Sequence, residues 1–342
     1  MISLLVVNYR SAALAANAIR SARAATSQPL QVIVVDNSVD AAEAESLRGA
    51  ADVLIVSQSN RGYAGGINDG RRACEGDVIV AANPDVVFAP GALDALADAL
   101  DAKTAVAGPA LFWDDAHSWR LPPGDLNSGP EKLDEVLASR SPAWRAQRDL
   151  RRFRARAEFW SLQTTTHVRM LSGAVLAMRA SAFDAVGGFD ERFRLYFEEA
   201  DFLRRIAQHR QRIVYVPQAR CRHLYNQSAR HDAQRAAALY AESELRYLEK
   251  WNGPFAARAL KRFERPVRIA EPRDGTLAVD RHGVIVEASP LPSFATAAGC
   301  FASPGRVALP PEIAESIAGS TFYLRSVVRA TGEVLATVRI SA

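Results

Sequence analysis

Two acidic segments and one histidine are the residues of this chain best suited to metal and proton chemistry. The segment Asn83–Asp85 directly follows an apolar run, and Glu198–Asp201 opens a helical segment. His223 comes shortly after another apolar run. Carboxylates and an imidazole can bind a divalent metal, which in turn binds phosphate oxygens. A carboxylate can also accept a proton from a reacting group. The pattern therefore predicts a metal-assisted site for a sugar nucleotide.

Apolar β-type runs and alanine-rich helical runs alternate in the N-terminal part of the chain. We expect strands at Ile2–Val7, Val32–Val35, Val53–Val56, Val78–Ala82 and Ala105–Gly108, and helices at Ala12–Ala25, Ala41–Gly49, Ile67–Cys74 and Ala92–Leu100. This βαβα order predicts an α/β fold with a parallel sheet covered on both faces. Right-handed crossovers bring the strand ends to one edge, where ligands bind. Tyr9, Asp36, Asn60 and Asn83–Asp85 are expected at that edge.

The composition changes twice further along. Residues 113–160 break the alternation and contain a charged helical segment at Leu133–Phe159, which predicts an insertion with a basic helix. After Pro266, short β-type runs separated by Gly and Pro predict an antiparallel module. We therefore expect a large α/β domain over residues 1–264, with the insertion at 113–160, and a small β-rich module over residues 265–342.

Composition limits the class of protein. With 342 residues, 49% of them hydrophobic, the chain can bury a sizeable core. Its apolar runs are too short to span a bilayer, and its start shows no charged leader, so we expect a cytoplasmic protein. Three scattered cysteines favour packing over a disulfide framework or a zinc site.

Six arginines between Arg145 and Arg156 form a local basic segment, with aromatic residues interleaved. Such a segment suits peripheral contact with an anionic membrane, at the inner face of the cytoplasmic membrane, or a grip on phosphates. A solvated helix that closes over the domain explains the same pattern. A nucleic acid partner is not expected, because no base-reading module accompanies the cluster.

The sequence of the first strand-to-helix turn distinguishes between the nucleotide-binding folds that contain a parallel sheet. It reads Asn8–Ser11 and lacks the glycines of a dinucleotide-binding fold, the Gly-Lys-Ser/Thr of a P-loop, and the loop of a sugar-nucleotide pyrophosphorylase. The glycines come instead in the segment Asn60–Gly70, after the third strand. Close backbone approach and a helix N-terminus there suit an anionic or sugar ligand.

Ordered motifs over roughly residues 1–250 resemble the GT-A fold glycosyltransferases of family 2, in the rhamnosyltransferase-like branch. The matching motifs are Val6–Tyr9, Val34–Ser38, Asn60–Asn68, Asn83–Asp85, Ser172–Ala174, Gly188–Glu191 and Phe197–Asp201. The resemblance implies a nucleotide-sugar-binding sheet sandwiched by helices. It also implies a Mg²⁺ or Mn²⁺ cofactor.

The resemblance implies roles for residues at the edge of the sheet. Asp36 would accept a hydrogen bond from the pyrimidine base, and Asp85 would bind the metal. Asn83 stands where the family more generally has a second aspartate. Other residues assigned to the donor site are Asn8, Tyr9, Asn60, Arg61, Gly66, Asn68, Asn83, Ser172 and Gly173. His223 has two open interpretations, a metal or diphosphate ligand and a structural histidine.

Glu199 is the candidate catalytic base, at a helix start that favours anions, where the family usually has aspartate. Glu198, Tyr196 and Asp201 are assigned to the acceptor side. Asp201 has the alternative of pairing with an arginine such as Arg204 or Arg205. Aromatic residues such as Tyr196 have the alternative of ordinary core packing.

The function implied is inverting transfer of a sugar from a nucleoside diphosphate donor, dTDP-rhamnose or a UDP-sugar, to a hydroxyl of a cell-surface glycan or lipid-linked oligosaccharide. The alternative is a nucleotide-sugar or glycan binding protein without turnover. A homodimer is possible on either interpretation.

Overall fold

The computed structural model describes residues 1–224, 233–267 and 269–341. Its strands are β1 (Ile2–Asn8), β2 (Leu30–Asp36), β3 (Val53–Val56), β4 (Val78–Ala82), β5 (Val86–Phe88), β6 (Thr104–Phe112), β7 (Thr166–His167), β8 (Val175–Arg179), β9 (Arg212–His223), β10 (Ala278–Val279), β11 (Val284–Ser289), β12 (Ala298–Ala302), β13 (Gly305–Arg306), β14 (Thr321–Val328) and β15 (Val334–Ser341). Its helices are α1 (Ala12–Ala24), α2 (Ala41–Leu47), α3 (Gly62–Arg71), α4 (Ala92–Asp98), α5 (Gly129–Arg140), α6 (Pro142–Trp160), α7 (Ala180–Ala185), α8 (Glu198–Gln208), α9 (Ala233–Asn252), α10 (Pro254–Phe263) and α11 (Pro311–Ile317).

The large sheet has the strand order β3-β2-β1-β4-β8-β6-β9-β5, with β7 paired to β9. Strands β1 to β4 are parallel, as predicted, and β1 and β2 are buried along nearly their whole length. Strand β8 runs antiparallel between β4 and β6, and β5 pairs antiparallel with β9. The α/β class is confirmed, and the strands predicted from the N-terminal alternation, β1 to β4 and β6, run in the same direction, with β8 antiparallel between β4 and β6. The antiparallel pairing of β5 with β9 places Val86 opposite His223.

Helix α3 begins at Gly62, five residues before its predicted start at Ile67. The glycine-rich segment is therefore helical, and its glycines serve close packing on β1. A Cβ at Gly66 would lie 2.8 Å from Val7, and one at Gly70 would lie 2.5 Å from Leu5. Glycine's usual cost within a helix is offset here because any larger residue would push the helix away from the sheet.

The chain divides into two compact units. The first contains Met1–Ala110, Gly124–Asn127 and Gln163–Pro254, and the second contains Leu111–Pro123, Ser128–Leu162 and Phe255–Ala342. These bounds differ from the predicted ones, because the helices of the predicted insertion belong to the same unit as the C-terminal strands. Within that second unit, Phe153, Ala157 and Trp160 of α6 share a buried apolar cluster with Ile285 and Val327.

The C-terminal strands form the predicted small antiparallel sheet, in the order β12-β11-β14-β15, with β10 and β13 paired separately. At its centre Glu287 is fully buried between two arginines. Arg156 Nη2 lies 2.6 Å from Glu287 Oε1, and Arg325 Nη2 lies 2.6 Å from Glu287 Oε2. A carboxylate paired on both oxygens can be buried at an acceptable desolvation cost.

The other arginines of the predicted basic segment also have partners within the second unit. Arg148 and Arg151 pair with Asp134, at 3.3 and 2.6 Å. Arg152 donates to the carbonyl of Ala295 at 2.7 Å, and Arg154 donates to that of Thr331 at 3.3 Å. The segment therefore stabilises its own unit, which weakens the hypothesis that it is a basic stripe facing a membrane. None of the helices in the described residues has the length and hydropathy needed to cross a bilayer.

Candidate active site

Asn8 and Asp36 lie side by side at the carboxyl ends of β1 and β2. The two residues are register partners in the parallel pair, and both are fully buried. Asn8 Nδ2 donates to Asp36 Oδ1 at 2.9 Å and to Glu43 Oε2 at 2.9 Å. Asn8 therefore positions the aspartate, and its place in the donor site stays a prediction. The sequence analysis did not identify Glu43, because no local sequence signal marks a residue of α2 as a partner of β1.

One oxygen of Asp36 is left for a ligand. Asp36 Oδ1 accepts from Asn8 and from the backbone N–H of Ser38 at 3.0 Å, whereas Oδ2 is buried without a hydrogen-bond partner. A buried acceptor left unpaired is costly. The N3–H of uracil or thymine is a donor that would satisfy it, in agreement with the role predicted for Asp36. Tyr9, close by on the same edge, has a half-exposed ring beneath the guanidinium of Arg10.

Tyr63 is a residue that the sequence analysis did not single out. Its backbone N–H donates to the carbonyl of Arg194 at 3.1 Å, and the preceding Gly62 carbonyl accepts from Asn37 Nδ2 at 2.9 Å. The phenolic oxygen is buried and has no hydrogen-bond partner. Burial first, and then the charges of Glu198, Glu199 and Asp85, raise the pKa of Tyr63. The charges of these three carboxylates therefore act on the hydroxyl of Tyr63.

Three predicted donor residues are instead engaged with the protein. Arg61 pairs with Asp69 at 2.7 Å and with Glu191 at 2.5 Å. Asn68 Nδ2 donates to the Phe189 carbonyl at 2.9 Å and Oδ1 accepts from the Phe189 N–H at 3.0 Å, which ties α3 to the loop before α8. Gly66 packs on Val7. These residues build the scaffold of the site.

Asn60 and Asn83 shape the turns before α3 and after β4. Asn60 Oδ1 accepts from the backbone N–H of Gly62 at 2.8 Å, an Asx turn that starts α3. The backbone N–H of Asn83 donates to the Ala174 carbonyl at 2.9 Å, which joins the end of β4 to the segment after Gly173. Both residues are half-buried, so part of each stays exposed, and their assignment to the donor site stays a prediction.

Asp85 and His223 come together as the sequence predicted. Asp85 Oδ1 lies 3.2 Å from His223 Nε2, and the backbone N–H of Leu224 donates to the Asp85 carbonyl at 3.1 Å. Burial alone would raise the pKa of Asp85, but the charge and hydrogen bond of His223 bring the pKa below its ordinary value. The carboxylate is therefore ionised at neutral pH, as a metal ligand must be.

The donor set suits Mg²⁺ or Mn²⁺ bound together with a diphosphate. Asp85 offers a carboxylate oxygen and His223 an imidazole nitrogen, and the imidazole favours Mn²⁺ over Mg²⁺. No cluster of three metal-ligating side chains occurs among the residues that the structure describes. Phosphate oxygens and water would therefore have to complete the coordination shell.

Glu199 lies directly against Gly173. A Cβ at Gly173 would meet Glu199 Cγ at 3.1 Å and its carboxyl carbon at 3.3 Å. Burial raises the pKa of Glu199, and backbone N–H groups at the start of α8 oppose that rise only in part. Ser172 Oγ accepts from the backbone N–H of Ala174 at 3.3 Å, which shapes the turn that leaves this space. A carboxyl with a raised pKa is suited to take a proton near neutral pH.

Glu198, the preceding residue, is buried, whereas Glu199 is half-buried, and Glu198 Oε2 has no hydrogen-bond partner. Burial and then the charge of Glu199 hold the pKa of Glu198 well above its ordinary value. Two adjacent carboxyls in one buried site resist double ionisation. The pair therefore shares its charge unequally, and Glu198 is the member that favours the neutral form.

Asp201 does not belong to the acceptor side as predicted. It is fully buried, and Arg205 Nε and Lys250 Nζ lie 2.8 and 2.6 Å from its two oxygens. Trp251 Nε1 donates to the same carboxylate at 3.0 Å. The alternative of pairing with Arg205 is therefore correct, and the residue anchors α8 to α9. Lys250 and Trp251 were not foreseen, because their contact depends on how α9 folds back.

Tyr196 and Phe197 form a strained turn before α8. Both have positive φ angles, 68° and 69°, which non-glycine residues rarely adopt. The Tyr196 ring lies 5.5 Å from that of Tyr240, and Phe197 lies 5.4 Å from Tyr247. Aromatic packing against α9 holds this turn in place. Phe197 is buried in the core, whereas Tyr196 is half-buried.

The comparisons with known proteins agree with this geometry. The sequence model of the family described as "Glycosyltransferase like family 2" matches residues 1–246. The chain therefore belongs to this glycosyltransferase family, as the motifs implied.

Two relatives are rhamnosyltransferases. The chain is 31% identical over 218 residues to the N-acetylglucosaminyl-diphospho-decaprenol L-rhamnosyltransferase of Mycobacterium tuberculosis, which covers 58% of this chain and 68% of that protein. It is 25% identical over 219 residues to the O-antigen chain rhamnosyltransferase WbaN of Salmonella anatum, with 61% of each chain covered.

The fold has a counterpart among solved structures. It is similar to the mannosyltransferase PcManGT from Pyrobaculum calidifontis, solved in complex with GDP-mannose and Mn²⁺, with a TM-score of 0.50 and 15% identity. The match covers 76% of this chain and 69% of that chain. At this identity the likeness shows the fold, a GT-A sheet flanked by helices.

Proposed function

We propose that this protein is a metal-dependent, inverting glycosyltransferase that moves rhamnose from dTDP-rhamnose, or a related sugar from UDP, to a hydroxyl of a lipid-linked or cell-surface glycan. One observation carries the proposal above all. Asp85, the candidate metal carboxylate, and Glu199, the candidate base, are both near enough to the buried hydroxyl of Tyr63 for their charges to raise its pKa.

The nucleotide end of the donor is assigned to Asp36. Its buried, unpartnered Oδ2 would accept the N3–H of thymine or uracil. Cytosine lacks a proton on N3 and would leave this oxygen unsatisfied, which favours dTDP and UDP donors over CDP donors. The names of the two rhamnosyltransferase relatives favour rhamnose among the sugars.

The diphosphate end is assigned to Asp85 and His223, 3.2 Å apart. A bound Mg²⁺ or Mn²⁺ would supply neutralisation of the charge that develops on the departing diphosphate. Asp85 is suited to hold such an ion because its carboxylate stays ionised. The Leu224-to-Asp85 backbone bond keeps the two ligand residues in register.

Glu199 is proposed to take the acceptor proton. Its side chain rests on Gly173, so its position is fixed by contact with the turn beneath it. A base so placed can receive the proton as the acceptor oxygen attacks the anomeric carbon opposite the diphosphate, which inverts that carbon. Orientation of both substrates on a rigid sheet edge supplies much of the rate enhancement.

The acceptor is proposed to be lipid-linked, because the name of one relative gives N-acetylglucosaminyl-diphospho-decaprenol as its acceptor. An acceptor of this kind brings the enzyme to the inner face of a membrane. The basic segment Arg145–Arg156 is a weak candidate for that contact, because its arginines have partners in the second unit.

The test is a transfer assay with dTDP-rhamnose and a panel of UDP-, GDP- and CDP-sugars, using a synthetic polyprenyl diphosphate N-acetylglucosamine acceptor with Mg²⁺ or Mn²⁺. Rhamnosyl product of inverted configuration, abolished in Asp85→Asn and in Glu199→Gln, is the expected result. Tight nucleotide-sugar binding without product for any acceptor would favour a binding protein, the alternative kept open by Asn83 and Glu199, the positions where the family more often has aspartate.

A further inference from the structure

Two buried polar atoms of the first unit, on different helices, have no hydrogen-bond partner among the residues that the structure describes. They are the hydroxyl of Tyr63, on α3, and Oε2 of Glu198, the first residue of α8. Glu198 is only 6% exposed. A buried polar atom without a partner is costly, so two such atoms in one region indicate that a ligand supplies the partners.

A close backbone contact brings the start of α3 to the loop that leads into α8. The backbone N–H of Tyr63 donates to the carbonyl of Arg194 at 3.1 Å. The preceding Gly62 has a φ angle of +75°, and a Cβ there would clash with the same carbonyl. Because Arg194 comes only four residues before Glu198 in the chain, this contact holds Tyr63 near the start of α8.

Aromatic contacts connect the Tyr63 ring to the side of α8 that carries Glu198. The ring centre of Tyr63 lies 6.3 Å from that of Phe189, and the ring centre of Phe189 lies 4.9 Å from that of Phe202. Phe202 follows Glu198 by four residues on α8, so the two side chains share one face of the helix. The Tyr63 ring and the Glu198 side chain therefore lie on the same side of α8.

The effects of nearby charges on Tyr63 agree with this placement. Burial raises the pKa of Tyr63 most, and the charges of Glu198, Glu199 and Asp85 raise it further, in that order. Glu198 is thus the carboxyl whose charge acts most strongly on the hydroxyl, yet the two groups are not hydrogen-bonded to each other. One oxygen atom that bonds to both groups can bridge such a separation.

We propose that Tyr63 and Glu198 bind a ring hydroxyl of the donor sugar between them. A sugar hydroxyl can both donate and accept, so it can pair with the phenol on one side and with the carboxyl on the other. The charges of Asp85, the candidate metal carboxylate, and of Glu199, the candidate base, both act on the Tyr63 hydroxyl. The transferred sugar must lie between the diphosphate and the base during transfer, which favours the donor sugar over the acceptor as the group bound.

This assignment rests on the proposed function and deepens it, because it gives the site a contact that selects the sugar. Asp36 is assigned to the base of the nucleotide, and Asp85 and His223 are assigned to the diphosphate, so none of them recognises the sugar. A sugar without the bound hydroxyl would leave two buried polar atoms unpaired. Sites that bind a substrate hydroxyl in this way discriminate strongly against analogues that lack it.

The experiment is calorimetric titration of dTDP and of dTDP-rhamnose, with Mn²⁺, into wild type, Tyr63→Phe and Glu198→Met. Both variants are expected to bind dTDP as wild type does. They are expected to bind dTDP-rhamnose about 10-fold more weakly, because only the sugar meets the changed side chains. The double variant should fall well short of the loss of about 100-fold that independent contacts would give, because one hydroxyl serves both residues.

Analogues of dTDP-rhamnose that each lack one ring hydroxyl identify the group that is bound. Wild type should bind one of these analogues about 10-fold more weakly than it binds dTDP-rhamnose. Tyr63→Phe should discriminate against the same analogue by less than about threefold, because part of the contact is already lost. Equal discrimination by wild type and Tyr63→Phe would overturn the proposal.

The matched control is Tyr323→Phe, which removes the hydroxyl of a buried tyrosine on β14 of the second unit. It should leave both affinities unchanged. An equal loss for dTDP and dTDP-rhamnose in Tyr63→Phe would indicate a structural role and would overturn the proposal, as would a loss confined to the KM for the acceptor. Failure of wild type to bind either nucleotide would overturn the proposed function, and the sugar contact with it. Thermal melting confirms that each variant is folded.

Discussion

Glu199 rests on Gly173 so closely that a single methyl group at residue 173 would meet its Cγ at 3.1 Å. This contact joins the turn before β8 to the start of α8, two elements that are separated by the whole of β8 and α7 in the chain. The absence of a side chain at residue 173 therefore fixes where the candidate base lies.

Gly173→Ala should lower kcat about 10-fold and leave the KM for the nucleotide sugar nearly unchanged, because the added methyl displaces the base by a few tenths of an ångström. Steady-state kinetics checks this. Gly49→Ala is the control, since a Cβ at Gly49 meets nothing within 4 Å. An equal loss of kcat in both variants would count against a positioning role for Gly173.

The pH dependence of transfer should report Glu199. Burial raises the pKa of Glu199 above the ordinary 4.5, so kcat/KM should rise with pH and level off only after a pKa higher than that value. Glu199→Gln should abolish this acidic limb together with most of the activity. Survival of an unchanged limb in the Gln variant would assign the base elsewhere.

Glu198 should make stability depend on pH in the opposite direction to an ion-paired carboxylate. Burial raises the pKa of Glu198 in the folded state. The contribution of Glu198 to the free energy of unfolding is therefore fully present below its unfolded-state pKa of about 4.5, and it is lost as the pH rises through its folded-state pKa. Glu198→Gln should therefore raise the melting temperature at pH 7.5 and leave it unchanged at pH 4. A gain that is equal at both pH values would point to a packing effect instead.

The sequence predicted the features that depend on local pattern. The alternation of apolar and helical runs predicts the strands β1 to β4. The rule of right-handed crossovers predicts that Asp36 lies at the carboxyl edge of the sheet. The pairing of Asp85 with His223 could be suspected only from positions after apolar runs.

Features that depend on tertiary pairing were missed or misassigned. Tyr63 has no signal of its own, because its hydroxyl matters only once Glu198 and Asp85 are brought near it. Arg61 was assigned to the donor site and Asp201 to the acceptor side, yet each is paired with a partner distant in sequence, Glu191 and Lys250. Charge alone cannot distinguish a free ionic group from one half of a pair.

Tyr63→Phe should separate stability from activity. Removal of a buried hydroxyl without a partner should raise the free energy of unfolding by about 1 kcal/mol in the absence of ligand. If the hydroxyl meets a substrate atom in the complex, the same change should lower kcat/KM about 10-fold. Denaturant unfolding and kinetics on one preparation check both effects, and a variant that is less stable yet fully active would contradict them.

Asp36→Asn should weaken binding of UDP and dTDP by about 10-fold or more, because an amide presents only one acceptor where the buried site needs two. Isothermal titration against both nucleotides measures the loss. Asp98→Asn, an exposed carboxylate on α4, should bind as wild type does. Equal affinity of the Asp36 variant for UDP and CDP, with wild type preferring UDP, would identify this oxygen as the selector of the base.

Glu287 should be the most sensitive position of the second unit. Both its oxygens are paired, one with Arg156 and one with Arg325, each at 2.6 Å. Burial lowers the pKa of Arg156, and the charge of Glu287 opposes this effect only in part. Glu287→Gln would leave two guanidinium groups buried without a counter-charge, so the free energy of unfolding should fall by about 3 kcal/mol. Glu333→Gln, an exposed carboxylate of the same unit, is the control for a simple change of charge. Urea unfolding of both variants checks the prediction, and a loss below about 1 kcal/mol for Glu287→Gln would mean that water or rearranged side chains replace the lost charge.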